Sequence, residues 1–294
     1  MPARLAGPRA LQGNDLMVQQ RLSARLFGLT FVGDAPAEIL ASASASDSSL
    51  PRLVVTANVD HIVTLSENAA FRQAYAGAAA RTLDGMPLVW LSRLRGGGRL
   101  RGGGRMSRVT GHDLLEAVLD DEQALSDRRI FLLCATRAAG EALTRILATR
   151  GLSPDRVAFE VPPYGFDADD AFGRALAGRI RDHGTTLLIM GVGAPKSEIW
   201  VHRQGAALGN PVVLAIGEAV NVAAGLVPRA PRMLQVLGLE WLFRVGTDPR
   251  RLFHRYFIRS WRFLGLAIGG ADFGLPPEIR ADRGAARPKS VSQS

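Results

Sequence analysis

"TTLLIMGVGAPKSEIWVHRQGAALGNPVVLAIG", residues 185–217, holds two short apolar runs on either side of a helix-like segment. "TTLLIMGVG" (185–193) reads as a strand, "SEIWVHRQGAAL" (197–208) as a helix and "PVVLAIG" (211–217) as a second strand. Neither strand alternates apolar with polar residues, as one wetted on a single face would. Short apolar strands separated by helices of 10–15 residues argue for a mostly parallel sheet covered by helices on both faces.

The same rhythm extends outward. "RLVVTAN" (52–58), "RIFLLCA" (129–135) and "RVAFEVPP" (156–163) read as strands. "ENAAFRQAYAGA" (67–78), "GHDLLEAVLDDEQAL" (111–125), "RAAGEALTRILATRG" (137–151, closed by a C′ glycine) and "DDAFGRALAGRIRDHG" (169–184) read as helices. The fold class is therefore α/β. In such folds ligands bind outside the carboxyl ends of the strands. Thr56 and Asn58, Cys134 to Arg137, Tyr164 to Asp167, Gly191 to Lys196 and Gly217 to Asn221 all fall there.

The 294 residues leave ample material for a core, and 47% hydrophobic with 21% charged residues suits an ordered chain. A single cysteine, Cys134, permits no internal disulfide and fits a reducing, cytoplasmic compartment. No run reaches the ~18–20 apolar residues of a membrane helix, and no apolar region follows the N-terminal charges as in a signal peptide. The net charge is +9, and of 36 basic residues only Lys196 and Lys289 are lysine. That balance favours anionic partners, whether phosphorylated substrate, acidic lipid or nucleic acid.

Much of the charge is concentrated late. Residues 229–262 carry eight arginines against Glu240 and Asp248. On a helix, Arg251, Arg255, Arg259 and Arg262 share one stripe, with Leu252, Phe253, Tyr256, Phe257, Trp261, Phe263 and Leu264 opposite. This reads either as a membrane-surface helix or as an aromatic face packed on the core with solvated arginines. "LRGGGRLRGGGR" (94–105) is a tandem duplication, readable as a slippage loop or as a mobile basic flap.

Two short stretches carry chemistry. In "TLDGMPLVWLSRL" (82–94), Asp84 stands where an apolar helix should begin, so it reads as a cap or as a reactive carboxylate. "MGVGAPKSE" (190–198) joins a strand to a helix; its glycines admit close approach of a ligand, and the helix N-terminus favours an anion. It is neither G-x-G-x-x-G nor a P-loop. His61, His112, His183, His202 and His254 lack ligand spacing. "DADD" (167–170) contains an Asp-x-Asp but also opens a helix, where aspartate is the expected cap. No G-x-S-x-G elbow occurs.

"TANVDHI", "TLDGMPLVW", "RVTGHDLLEAV", "GVGAPKSEIW" and "GLVPRAPRMLQVLGLEWLFRVGTDPRRLFHRYF" follow one another in this order. Together they resemble the WecB/TagA/CpsF family of bacterial glycosyltransferases, the N-acetylmannosamine transferase group, from near "LFGLTFVG" (26–33) to about residue 258. The resemblance implies a Rossmann-like, mostly parallel sheet covered by helices, with a small helical C-terminal appendage. The residues themselves divide the chain into a variable segment (1–24), a catalytic domain (25–228), a basic amphipathic appendage (229–275) and a disordered tail (276–294).

The implied activity is inverting transfer from a UDP-sugar to a polyprenyl-diphosphate-linked saccharide, as in exopolysaccharide or cell-surface polysaccharide synthesis. It needs no metal or cofactor and takes place on the anionic inner face of the cell membrane. The family's base falls on Asp84. Substrate contacts fall on Thr56, Asn58 and Arg108, on Gly191, Gly193, Pro195, Lys196, Ser197 and Glu198, and on Asn221; Arg244, Arg251 and Arg255 of the appendage close over the nucleotide. The chemistry suits these types: one carboxylate takes the acceptor's proton, and arginine offsets the charge of departing UDP.

Departures cluster at the site. Ser197 replaces the usual Gln, and Gly217 to Val222 ("GEAVNV") replaces "GGAFDF", so that Asn221 stands for an acid and Glu218 for a glycine. Cys134, Ala135 and Thr136 replace a glycine-rich turn. The transferred sugar is thus open among N-acetylmannosamine, its uronate and another hexuronic acid such as glucuronate, and self-association is open too. Ser197 and Asn221 also leave room for a catalytically inactive scaffold, against which Asp84 argues. The pI and "RGGGR" repeats suggest a nucleic-acid binder, but no such motif is present and the charge gathers on an amphipathic helix. No nucleic-acid partner is expected.

Overall fold

The computed structural model describes residues 22–46, 48–95, 105–231, 233–234, 240–247 and 259–274. Arg251 and Arg255, most of the duplication and the tail lie outside the described residues, as does the side chain of Arg244.

An antiparallel hairpin opens the chain, β1 (Ser23–Leu26) and β2 (Leu29–Val32). Then follow α1 (Pro36–Ala45), β3 (Arg52–Ala57), α2 (Val59–Glu67), α3 (Ala69–Gly77), β4 (Ala80–Leu83) and α4 (Met86–Arg95). Next come α5 (Gly111–Asp120), α6 (Glu122–Asp127), β5 (Ile130–Leu133), α7 (Arg137–Thr149), β6 (Val157–Glu160) and α8 (Asp170–Asp182). The chain continues through β7 (Leu187–Met190), α9 (Lys196–Gln204), β8 (Val212–Ala215) and α10 (Ala219–Ala223). Two further described helices are α11 (Glu240–Thr247) and α12 (Arg259–Ile268).

Six strands form one wholly parallel sheet in the order β4-β3-β8-β7-β5-β6. Every residue of β5, β7 and β8 is buried, which is why these segments read as unbroken apolar runs. Their side chains still alternate between two cores. Leu188, Met190, Val213 and Ala215 face the layer containing Tyr75 and Trp200, while Leu187, Ile189, Val212 and Leu214 face Leu114 and Leu143.

Local chemistry sets the helix boundaries, and it corrects three of the expected ones. The segment 67–78 is entered through Asn68, which ends α2 through its N–H to Thr64 and caps α3 by accepting from Phe71 N at 3.0 Å. The segment 111–125 is two helices, because Asp121 caps a new one by accepting from Ala124 N at 3.0 Å. The α9 segment tightens into a 3₁₀ turn at Gly205–Leu208. As expected, Gly151 lies past α7 with a left-handed φ of 88°, and Asp169 caps α8 by accepting from Phe172 N at 2.9 Å.

The late aromatic segment departs from a simple division into a lipid face and a basic face. Phe263 of α12 turns inward onto Phe27 of the hairpin, with ring centroids 6.2 Å apart, and Arg262 pairs with Glu67 of α2 at 2.5 Å. Among the described residues no helix is long and apolar enough to cross a membrane.

Candidate active site

The carboxyl ends of β4, β3, β8 and β7 carry most of the expected site residues. Asp84 follows β4 directly, and its backbone N donates to the carbonyl of Ala57, at the end of β3, at 2.7 Å. Helix α4 begins only at Met86; Gly85 holds the cap position, its carbonyl accepting from Leu88 and Val89 at 3.0 and 3.1 Å. Asp84 therefore stands outside the helix, half-buried at the sheet edge. The turns after β3 and β4 touch closely: a Cβ on Gly85 would lie 3.9 Å from Cα of Asn58.

Asn58 spends its side-chain oxygen on capping α2, accepting from His61 N at 3.0 Å. Thr56 is buried within β3, in register with Thr82, and so braces the edge from inside the sheet. Beside β4 runs "RVTG": Val109 N donates to Leu83 O at 3.0 Å, Thr82 Oγ1 donates to Val109 O at 2.8 Å, and Thr110 with Asp113 forms the capping box of α5. These bonds hold Arg108 at the edge, where it pairs with Glu240 of α11 at 2.8 Å; both side chains are largely buried. Arg229 makes a second tie, to Asp113 and Glu116 of α5 at 3.6 and 3.1 Å. The "RAP" and "LEW" strings thus anchor the C-terminal part to the catalytic edge.

If Arg108 only tethers α11, Arg108→Ala and Glu240→Gln should do equal harm. If it also meets a donor phosphate, Arg108→Ala should lower kcat/KM by a further ~10²-fold. The second outcome is expected, and steady-state kinetics on both variants would decide; equal losses would leave Arg108 a tether.

Opposite lie the loops after β7 and β8. Gly193 and Gly217 adopt left-handed φ values of 84° and 51°, and a Cβ on Gly217 would sit 3.7 Å from Cα of Gly193. Gly191 is needed for packing, since a Cβ there would meet Val220 of α10 at 2.8 Å. Ala194–Pro195 is cis and leads into α9. Lys196 Nζ lies 5.2 Å from the centre of the exposed Tyr164 ring. Ser197 is buried, its backbone N and Oγ both donating to Gly193 O at 3.2 Å, so it closes the turn rather than facing a ligand. Asn221 donates to Glu218 Oε1 at 3.4 Å, linking the two residues that depart most from the family string.

Beneath the edge lies a polar cluster that the sequence reading missed. Tyr75 of α3 and His61 of α2 are buried, with Tyr75 Oη 2.6 Å from His61 Nδ1. Burial holds the Tyr75 hydroxyl well above its ordinary pKa; the negative charges of Glu198 and Asp84 add to this and Arg81 opposes it. Four ionisable groups from β4, its following turn, α2 and α9 thus surround one phenol. Glu198 was expected among the substrate contacts. Instead it is 1% exposed and its Oε2 has no hydrogen-bond partner among the described residues. Burial pushes its carboxyl up to about 7. His61 follows the Asn58 cap by three residues, the one signal that could have flagged it; nothing in the local sequence flags Tyr75.

Burial also raises the Cys134 thiol to about 11, which leaves it a poor nucleophile at neutral pH. Among the described residues no three His, Cys, Asp or Glu side chains gather as a metal would require. A cleft of about 490 Å³ lined by Asp34, Glu38, Ser42 and Ala80 lies at the amino-terminal end of β4, away from this edge.

The arrangement is a half-buried carboxylate held by backbone at one strand end, an arginine beside it, and glycine loops across two neighbouring strands. Residues 22–271 match the family described as "Glycosyl transferase WecG/TagA/CpsF family". The chain is also similar to an N-acetylglucosaminyldiphosphoundecaprenol N-acetyl-beta-D-mannosaminyltransferase of Bacillus spizizenii, at 25% identity over 207 residues, covering 70% of this chain and 75% of that protein. With the match spanning the hairpin, the whole parallel sheet and α12, the chain belongs to the WecG/TagA/CpsF family and is a glycosyltransferase of the hexosyl-transferring kind.

Proposed function

We propose that this glycosyltransferase moves a hexose derivative from a UDP donor to a saccharide on a polyprenyl diphosphate, inverting the anomeric centre, at the cytoplasmic face of the membrane. The observation that carries this reading is the placement of Asp84: outside its helix, half-buried, and fixed by its own backbone N–H to β3. β8 is two strand spacings from β4, about 10 Å, a gap that a sugar diphosphate can bridge. The acceptor hydroxyl attacks the anomeric carbon of the donor, its proton passes to the Asp84 carboxylate, and the bond to the UDP oxygen breaks. The Gly193 and Gly217 loops let backbone approach the diphosphate, and Arg108 with the appendage arginines Arg244, Arg251 and Arg255 offsets its charge. The acceptor class comes from the relative's name, which specifies a diphosphoundecaprenol-linked N-acetylglucosamine.

The sugar is the least constrained element, because the Glu218–Asn221 pair replaces family residues at this edge. A panel of UDP-sugars with a lipid-linked or soluble acceptor analogue, read as UDP release, tests the reading. Release that needs both donor and acceptor is expected; none from any donor would favour the scaffold. We expect the rate to be indifferent to chelator, because Asp169 is committed to its helix cap and arginine can take the role of a cation. Activity lost in chelator and restored by manganese would make Asp167 and Asp169, the Asp-x-Asp before α8, the first residues to test as ligands.

A further inference from the structure

Helix α9 carries an acid that its surroundings keep from water. Glu198 stands in the first turn, three residues after Pro195, which precedes the helix. An acid there ordinarily stays charged at the surface and offsets the positive end of the helix dipole. Here α9 packs against α3, leaving Glu198 1% exposed, and its Oε2 has no hydrogen-bond partner among the described residues. Burial raises its carboxyl to about 7, against a smaller opposing effect of a backbone hydrogen bond.

The charged and titratable groups around it come from several elements. Tyr75 of α3 feels the charge of Glu198 together with those of Asp84 and Arg81 around β4, and it is bonded to His61 of α2. On α9 itself, Lys196 Nζ lies 5.2 Å from the Tyr164 ring, His202 is exposed, and Arg203 pairs with Asp170 of α8 at 3.7 Å.

The loop that leads into this turn is the one assigned above to the donor diphosphate. Gly193 O accepts from both the backbone N and Oγ of Ser197 at 3.2 Å, so the loop and the first turn of α9 are one unit. Little more than one helical turn, about 5 Å of rise, separates the loop from Glu198. The positive end of the helix can serve an outside anion only while the acid beneath it is neutral. An ionised Glu198 would cancel part of that field and repel the diphosphate through an interior that salt screens poorly.

We propose that Glu198 gates the donor: the UDP-sugar binds tightly while this carboxyl is neutral and loses affinity when it ionises. This rests on the diphosphate position proposed above and adds a control to it. The coupling is reciprocal, so a bound diphosphate makes Glu198 harder to ionise and the protein takes up a fraction of a proton as the donor binds. The neutral form prevails below about 7 and is lost as pH rises through that value. Affinity is therefore highest on the acid side.

The test uses the full chain and UDP-glucose, whose diphosphate diester keeps its charge across the range. Isothermal titration calorimetry from about pH 5.5 to about pH 8.5 should show Kd rising by about tenfold. Titrations near pH 7.5 in buffers of different ionisation enthalpy should show uptake of about half a proton per donor. Glu198→Gln should keep the acid-side affinity of the wild type at every pH and take up no proton. Circular dichroism at each pH restricts these readings to folded protein, and Glu198→Met repeats the assignment if the glutamine variant does not fold. Neutral variants that follow the wild type's pH dependence would assign the titration to His61 or another group and overturn the proposal. So would wild-type binding that ignores pH or takes up no proton, and either result would leave the proposed donor standing. Binding of neither UDP-glucose nor UDP at any pH would instead count against the donor itself, and the gate would fall with it.

Discussion

Asp84→Asn should lower turnover by ~10²–10⁴ while leaving the fold intact. The backbone N–H of residue 84 makes the bond to Ala57 and Gly85 holds the helix cap, so neither depends on the carboxylate. Asparagine keeps the size and polarity but cannot take a proton from the acceptor hydroxyl. Matched melting curves with the rate loss confined to kcat would be the signature. Turnover near that of the wild type would reduce Asp84 to a structural residue and move the search for the base elsewhere along the edge.

Glu198 should make the protein's stability depend on pH in the direction opposite to that of a salt-bridged carboxylate. Its native carboxyl is raised from 4.5 to about 7 by burial, so the native state favours the protonated form. Stability from this group is fully present below pH 4.5 and is lost as pH rises through about 7. The whole shift corresponds to ~3 kcal/mol. Denaturant unfolding at intervals from pH 5 to pH 8 should show that decline in the wild type. Glu198→Gln, a neutral isostere, should flatten it, matching the wild type near pH 5 and exceeding it near pH 8. Parallel curves for the two proteins would mean that the carboxyl finds a partner or water that relieves its burial.

The two predictions separate two kinds of acid that look alike in a sequence. Asp84 and Glu198 both stand near the start of a helix that follows a strand. Asp84 follows β4 one residue before the helix cap and remains half in water, the access a base needs. Glu198 is two residues into α9, and packing of α9 against α3 carries it under the edge beside Tyr75. Solvent access divides them, and no spacing rule reports it.

The parallel sheet was legible from the chain alone, because strands buried on both faces must be apolar throughout and the helices between them must cover both sides. The carboxyl-edge placement of Asn58 and the Gly191–Lys196 loop followed from that alternation, whereas Asp84 and Arg108 came from the family resemblance, because β4 (Ala80–Leu83) is too short to read as a strand; the capping roles of Asp169 and Gly151 followed from side-chain chemistry within a few residues. Strand order, the hairpin packed against α12 and the ties Arg108–Glu240 and Arg229–Glu116 were not legible, since each joins segments far apart in sequence. Nor were the burial of Ser197 and Glu198, the Tyr75–His61 cluster, or the inward turn of Phe263 that leaves Trp261, Leu264 and Ile268 outside. Local pattern determines which segments are strands and helices, because backbone hydrogen bonding and periodic burial act within a segment. Which face of a helix meets water, and which carboxylate keeps its charge, depend on neighbours that only the tertiary structure supplies.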